Sequence, residues 1–349
     1  MKKIVFAAAV LAAMSLSAAG TRRVAGSGPG ASSIYATDAY PGFDGLDDLP
    51  KPERREKSWF FGVDRDNAAD QFAYAKELAE KDEFKKACKA CDALVREWPA
   101  SPEAPKAQLM YAMLLAKSMQ EYDDAFEQLD YLLDFYPRSC AYLDLVEYQY
   151  KLANLMVREK KTFWGMSFTS TRVMRQHYEM IVRRAPGAPY VPEAMLKIAG
   201  LREEDKQYEE AVQVYAALAA RFPDSPEARQ AAYLQAKARM WLVRRLAYNL
   251  ERCTDTAKYL ELTLKRMPEH ENAEEMRTWL GELKDYMAED AYVRARFYDS
   301  RQRTAHAAAA AYERFIEEYP DSPRTEEARR RLAELRGTEG NPKKGEVVE

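Results

Sequence analysis

Residues 208–240 read YEEAVQVYAALAARFPDSPEARQAAYLQAKARM. Both flanks are rich in Ala, Leu, Glu, Arg and Tyr, which favours helix. The stretch is broken once, by FPDSP at Phe222–Pro226. Proline cannot continue a helix interior, and Asp or Ser caps the helix that follows. Pro226 then falls in a first turn, where its missing N–H costs nothing. The segment therefore predicts two helices joined by a tight seam. The same kind of seam recurs as WPASP at Trp98–Pro102, YP at Tyr136-Pro137, APGAP at Ala185–Pro189, MP at Met267-Pro268 and YPDSP at Tyr319–Pro323. The leading prolines are spaced by 38, 49, 37, 45 and 52 residues. Between residues 63 and 336 only Gly165, Gly187, Gly200 and Gly281 interrupt the helix-forming composition. No strand pattern is visible.

A recurring helix pair resembles the tetratricopeptide repeat, whose unit is about 34 residues. That family places small residues where its two helices cross, because helices approach within about 8–10 Å only over small side chains. Ala199, Ala211, Tyr215 and Pro223 fit the fourth unit, and Ala75, Ala87, Cys91 and Pro99 the first. Counting back from the seam puts Met113 and Arg296 where small residues are wanted in the second and sixth units, and Met174 and Thr256 in the third and fifth. The expected fold is all-α, a right-handed superhelical solenoid of about six helix pairs plus a capping helix. First helices are expected near 67–81, 103–118, 140–160, 190–205, 227–250 and 271–300. Second helices are expected near 84–98, 122–136, 170–185, 208–222, 254–267 and 304–319, with the cap at 323–336.

The flanks read differently. Lys2 and Lys3 precede an apolar run from Ile4 to Met14, and Ser17-Ala18-Ala19 offers a cleavage site. Residues 1–19 are thus expected to be an export signal, too short to span a bilayer. The first Cys is Cys88, so the leader shows no lipobox cysteine. Residues 20–58 carry Gly, Pro and Asp without periodicity and read as a flexible linker. The solenoid is expected over 59–336 and a loose polar tail over 337–349. A net charge of −3 on 349 residues argues against a nucleic-acid binder.

Motifs that would carry chemistry are scarce. Cys88 and Cys91 share a helix face, yet no further ligands lie at zinc spacing, and Cys91 occupies a repeat core position. Redox and metal readings of this pair stand behind the core reading. His177, His270 and His306 form no metal motif, and neighbouring acids such as Glu203-Glu204 point about 100° apart on a helix. No catalytic residue, metal site, cofactor or small-molecule substrate is assigned.

Local charge says more. Residues 119–150 are acidic and 151–185 basic, with a second basic stretch at Lys237, Arg239, Arg244, Arg245 and Arg252. Opposite charges on adjacent repeats attract one another, and that is the simpler reading. The functional reading is a basic site for a peptide carboxylate or anionic lipid headgroups. Between the helices of the third unit, Phe163, Trp164, Met166 and Phe168 crowd around Gly165. They either tuck onto the core or form an aromatic anchor for a partner.

The order of features resembles the BamD family, tetratricopeptide lipoproteins of the outer-membrane barrel assembly machinery. The resemblance rests on Phe84, Ala87, Leu94, Pro99, Ser101 and Pro102 in the first repeat, and on Phe135-Tyr136-Pro137 closing the second. It continues through Phe163-Trp164-Gly165 in the third and AEDAYVRARFYDSRQ at Ala288–Gln302 before the final YPDSP. It covers about residues 67–335. It implies a non-catalytic periplasmic scaffold at the inner face of the outer membrane. The N-terminal repeats of such a protein hold the C-terminal segment of an unfolded outer-membrane protein, and its C-terminal repeats dock the periplasmic domains of the barrel insertase. The partner-binding residues expected here are Phe163, Trp164, Phe168, Arg172 and Arg175. A scaffold of another envelope or division complex is the alternative; the lack of heptads over 21–66 argues against a division coordinator with a trimerisation segment.

Overall fold

The computed structural model describes residues 55–56, 62–158, 162–163, 166–167, 170–245, 248–300 and 305–339. The expected leader, nearly all of the linker, the end of the tail, Trp164 and Phe168 lie outside the described residues. The chain divides into two compact units, one ending at Ala228 and the other beginning at Arg229.

The protein is all-helical, with thirteen α-helices among the described residues. In the first unit these are α1 (Ala68–Glu80), α2 (Phe84–Glu97), α3 (Ala104–Leu114), α4 (Tyr122–Phe135), α5 (Tyr142–Arg158), α6 (Thr171–Arg184), α7 (Val191–Glu204) and α8 (Tyr208–Arg221). Each packs on the next in chain order. The second unit holds most of α9 (Pro226–Arg245), then α10 (Leu250–Arg266), α11 (Ala273–Asp299), α12 (Ala305–Glu318) and α13 (Thr325–Glu339). There α9, α10 and the first half of α11 share one core, and the second half of α11 shares another with α12 and α13. One feature departs from the expectation of no strand: Thr162–Phe163 and Met166–Ser167 pair antiparallel as a minimal hairpin between α5 and α6.

The seams behave as proline chemistry requires. Trp98, Tyr136, Ala185, Phe222 and Met267 each donate a last helical N–H to the carbonyl four residues back, at 2.9–3.0 Å. Each then turns to φ between −133° and −124°, because a following proline disfavours the α region. Ser101 and Ser225 accept the N–H of Ala104 and Ala228 at 3.2 and 3.0 Å, opening the next helix. Inside the first, second, fourth and fifth pairs the turn includes a left-handed residue. Asp82, Gln120, Lys206 and Tyr248 have φ of 53–62°, the helix-closing conformation that satisfies orphan carbonyls. Tyr248 also explains a boundary difference. The first helix of the fifth pair ends at Arg245 rather than 250, and Asn249 caps α10 four residues earlier than expected.

The cores confirm the small-residue logic and correct its register. Ala75, Ala87, Ala125, Ala199, Ala211 and Ala308 are fully buried. In the second pair the small residue is Ala112, fully buried, and Met113 is only half-buried. A five-residue π-turn, Leu115–Met119, follows α3 and supplies the extra residue that shifts the count by one. In the sixth pair Ala295 is buried and Arg296 exposed, the same one-residue shift. Met174 and Thr256 are buried where the count placed them. Leu94, Leu129 and Tyr215 are fully buried beside these crossings, worth roughly 1.5–3 kcal/mol for each apolar side chain.

Candidate functional site

The third pair carries the residues expected to bind a partner. Its hairpin pairs Thr162 with Ser167 and Phe163 with Met166. The chain then enters α6 through Ser170, so Arg172 lies in the first helical turn. Arg172 is exposed and pairs with no other described residue. The unsatisfied N–H groups of a helix N-terminus are electropositive, so Arg172 adds a cation where the backbone already favours an anion. Thr171 beside it donates its hydroxyl to Asp205 at the end of α7, fixing this corner of the helix.

Arg175, one turn on, is differently placed. Its guanidinium donates to Glu179 at 3.0 Å, and Arg202 from α7 donates to the same carboxylate oxygen at 3.3 Å. The three side chains are 15%, 6% and 8% exposed. Sequence alone grouped Arg172 with Arg175; the fold leaves the first in solvent and commits the second to a buried ionic cluster. Deeper in α6, His177 stacks on Phe126 of α4 with ring centroids 3.8 Å apart. Burial pushes its imidazole down to about 4, although Asp123 lies 3.3 Å from Nε2. At the end of the helix Arg184 reaches Asp130 and Asp134 of α4 at 2.6 and 2.7 Å. Burial raises the Asp130 carboxyl to about 6 in spite of that partner. The acidic second repeat and the basic third one are thus joined by ion pairs, as the simpler reading of their charge had it.

These pairs follow a rule that reading charge by stretches had missed. Seven residues before each leading proline stand Asp92, Asp130, Glu179, Ala216, Glu261 and Glu313. Five of the six are acids, and every acid meets a base. Asp130 meets Arg184, Glu179 meets Arg202, Glu261 meets Lys284 at 2.8 Å, and Glu313 meets Arg336. In each of these the base comes from a helix beyond the following seam. Asp92 instead takes Arg96 from its own helix at 2.7 Å and Arg55 from before the repeats at 2.6 Å. A count from the prolines would have found the position.

The second basic stretch is largely consumed inside its unit. Arg239 lies over the Tyr259 ring at 4.9 Å, Arg245 over Trp241 at 5.1 Å, and Arg244 forks onto Glu282 at 2.6 and 3.2 Å. Cys88 and Cys91 are buried and free, their thiols raised by burial, the former to about 12. They sit in the core, away from the thiolate form that redox or metal chemistry needs. Among the described residues no group of three or more His, Cys, Asp or Glu is placed to hold a metal, and no helix is long and apolar enough to cross a membrane.

Residues 201–338 match the family model YfiO, outer membrane lipoprotein. The match takes in α8 to α13 and falls on the C-terminal part of the 67–335 span that carries the resemblance in sequence. No curated protein matches the chain. Among solved structures, a tetratricopeptide repeat protein from Parabacteroides merdae ATCC 43184 is similar at 12% identity and a TM-score of 0.29, covering 77% of this chain and 98% of that one. A MamA RS-1 double mutant is similar at 14% identity and a TM-score of 0.28, covering 63% and 96%. The apo form of RapI is similar at 12% and 0.25, covering 79% and 86%. At TM-scores this low the likeness adds nothing to the architecture read from the helices themselves.

Proposed function

Because residues 201–338 carry a YfiO outer-membrane-lipoprotein family domain, we propose that the protein is a non-catalytic scaffold in the assembly and insertion of outer-membrane β-barrel proteins. It works in the periplasm, at the inner face of the outer membrane. Its C-terminal helix pairs, where the family match lies, dock the periplasmic domains of the barrel insertase. Its third helix pair receives the C-terminal segment of an unfolded barrel protein. Exposed Arg172 at the N-terminus of α6 takes the terminal carboxylate, helped by the backbone N–H groups of the first turn. Arg175, one turn behind on the same face, adds positive potential while it stays bound to Glu179. Phe163, Trp164 and Phe168 of the intervening loop receive apolar side chains of the segment. The family match carries this reading; the anion-favouring corner at Arg172 supports the choice of site.

A synthetic peptide ending as a barrel protein does tests the site. We expect it to bind the whole protein with its terminal carboxylate free, and at least tenfold more weakly once that carboxylate is amidated. Arg172→Glu, which leaves the Arg175–Glu179–Arg202 cluster intact, should weaken binding by a similar factor. Equal affinity of the free and amidated peptides removes the carboxylate contact from the account.

A further inference from the structure

Arg55 precedes the repeats, yet its guanidinium enters the first two helix pairs and its side chain is 15% exposed. One terminal nitrogen donates to Asp92 Oδ1 of α2 at 2.6 Å and to Gln108 Oε1 of α3 at 3.3 Å. The other donates to Gln128 Oε1 of α4. The Tyr131 ring lies 4.6 Å from the guanidinium carbon and the Tyr111 ring 5.7 Å, so two π faces wall the group. The amide oxygens are aimed rather than free to rotate. Gln108 Nε2 donates to the Gln128 backbone carbonyl at 2.8 Å and to Gln128 Oε1 at 3.2 Å, which turns Gln108 Oε1 toward the arginine. Gln108 and Gln128 are both buried. With Arg55 gone, Gln108 Oε1 would be a buried acceptor without its donor, which costs free energy.

The pocket also reads backbone. Arg96 binds the other Asp92 oxygen at 2.7 Å and donates to the Glu56 carbonyl at 3.2 Å. A carboxylate, two fixed amide oxygens, two aromatic walls and a donor for the next carbonyl suit an arginine on an extended segment. Lysine, a compact ammonium, cannot span that fork. At the equivalent acids Asp130, Glu179, Glu261 and Glu313, a base arrives on a packed helix. Here the following helices bring amides, and the second base arrives on non-helical chain. Its hold is therefore an intramolecular binding equilibrium set by effective concentration.

We propose that Asp92, Arg96, Gln108, Gln128, Tyr111 and Tyr131 form a peptide-binding site for an arginine on an extended segment, with Arg55 as a resident ligand that a partner's arginine displaces. The inference is independent of the barrel-assembly reading. The test uses the whole chain and a fluorescent peptide of residues 50–60, PKPERREKSWF, followed by anisotropy. Arg55→Ala should bind the peptide, and the wild-type chain at least tenfold more weakly, because its own arginine competes. A peptide with lysine in place of Arg55 should bind Arg55→Ala at least tenfold more weakly. An Arg-Glu dipeptide set in scrambled flanks should compete with the labelled peptide. Arg55→Lys, which keeps the charge, guards against loss of folding in the alanine variant and should also bind the wild-type peptide more tightly than the wild-type chain does. Equal affinity of wild-type and both Arg55 variants, no binding to either variant, or indifference to lysine in the peptide would overturn the proposal.

Discussion

Replacing Glu179 with alanine should cost about 3–5 kcal/mol of stability, the range for removing one partner from a buried ion pair. Glu179 sits on α6 and accepts from Arg175 and Arg202 on α6 and α7. All three side chains are largely out of solvent. Taking away this carboxylate removes the negative charge between two guanidinium groups, in a medium that screens their repulsion poorly. Glu179→Gln keeps an acceptor oxygen and should cost less than the alanine change. Arg175→Met removes one of two positive charges and leaves the Glu179–Arg202 pair, so it should cost least. Because the chain has two compact units, a single melting temperature would mix them. Hydrogen exchange read on peptides of α6 and α7 isolates the effect. A Glu179→Ala loss below about 1 kcal/mol, the usual scale for exposed pairs, would mean that the cluster does not stabilise the interface between these helices.

The second large effect is a dependence on pH through His177. Its folded pKa is depressed to about 4 by burial, against an unfolded value of 6.5. Between those values the unfolded chain binds a proton at this position and the folded chain does not. Stability is thus full above about pH 6.5 and falls as pH drops toward 4, by up to about 3 kcal/mol from one group with this shift. Asp130 acts in the opposite sense, because its folded pKa is raised to about 6 from 3.8; its contribution is lost as pH rises through that window. Comparing wild type with His177→Phe cancels the Asp130 term. Phenylalanine preserves the stack on Phe126 and carries no titrating group. The wild-type minus variant stability should fall by about 3 kcal/mol between pH 7 and pH 4. Parallel profiles would mean that Asp123, 3.3 Å away, holds the imidazolium in the folded protein after all.

The helices were legible in the sequence because their ends are local chemistry. A proline restricts its own φ and its predecessor's, whatever packs nearby, and the leading proline of each seam follows the end of a helix. The crossing residues were less legible because they depend on the count of residues across a turn. A π-turn at Leu115–Met119 moved the second crossing from Met113 to Ala112, and nothing in LAKSM announces it. The hairpin at 162–167 was invisible because two-residue strands are too short to alternate. At the site, Arg175 pairs with Glu179 of its own helix, and α7 buries that pair by bringing Arg202 to the same carboxylate, whereas Arg172 is left exposed. That is tertiary information. The acid seven residues before each proline was present as a period, and it needed counting by repeat rather than by stretch.

We propose this helix-pair protein as a scaffold of outer-membrane barrel assembly. Affinity purification of the tagged protein from crosslinked, detergent-solubilised envelopes, with partners identified by mass spectrometry, decides whether it has that role. We expect recovery of a barrel insertase with periplasmic domains, together with unfolded outer-membrane proteins. Recovery of peptidoglycan or division proteins with no insertase would contradict it.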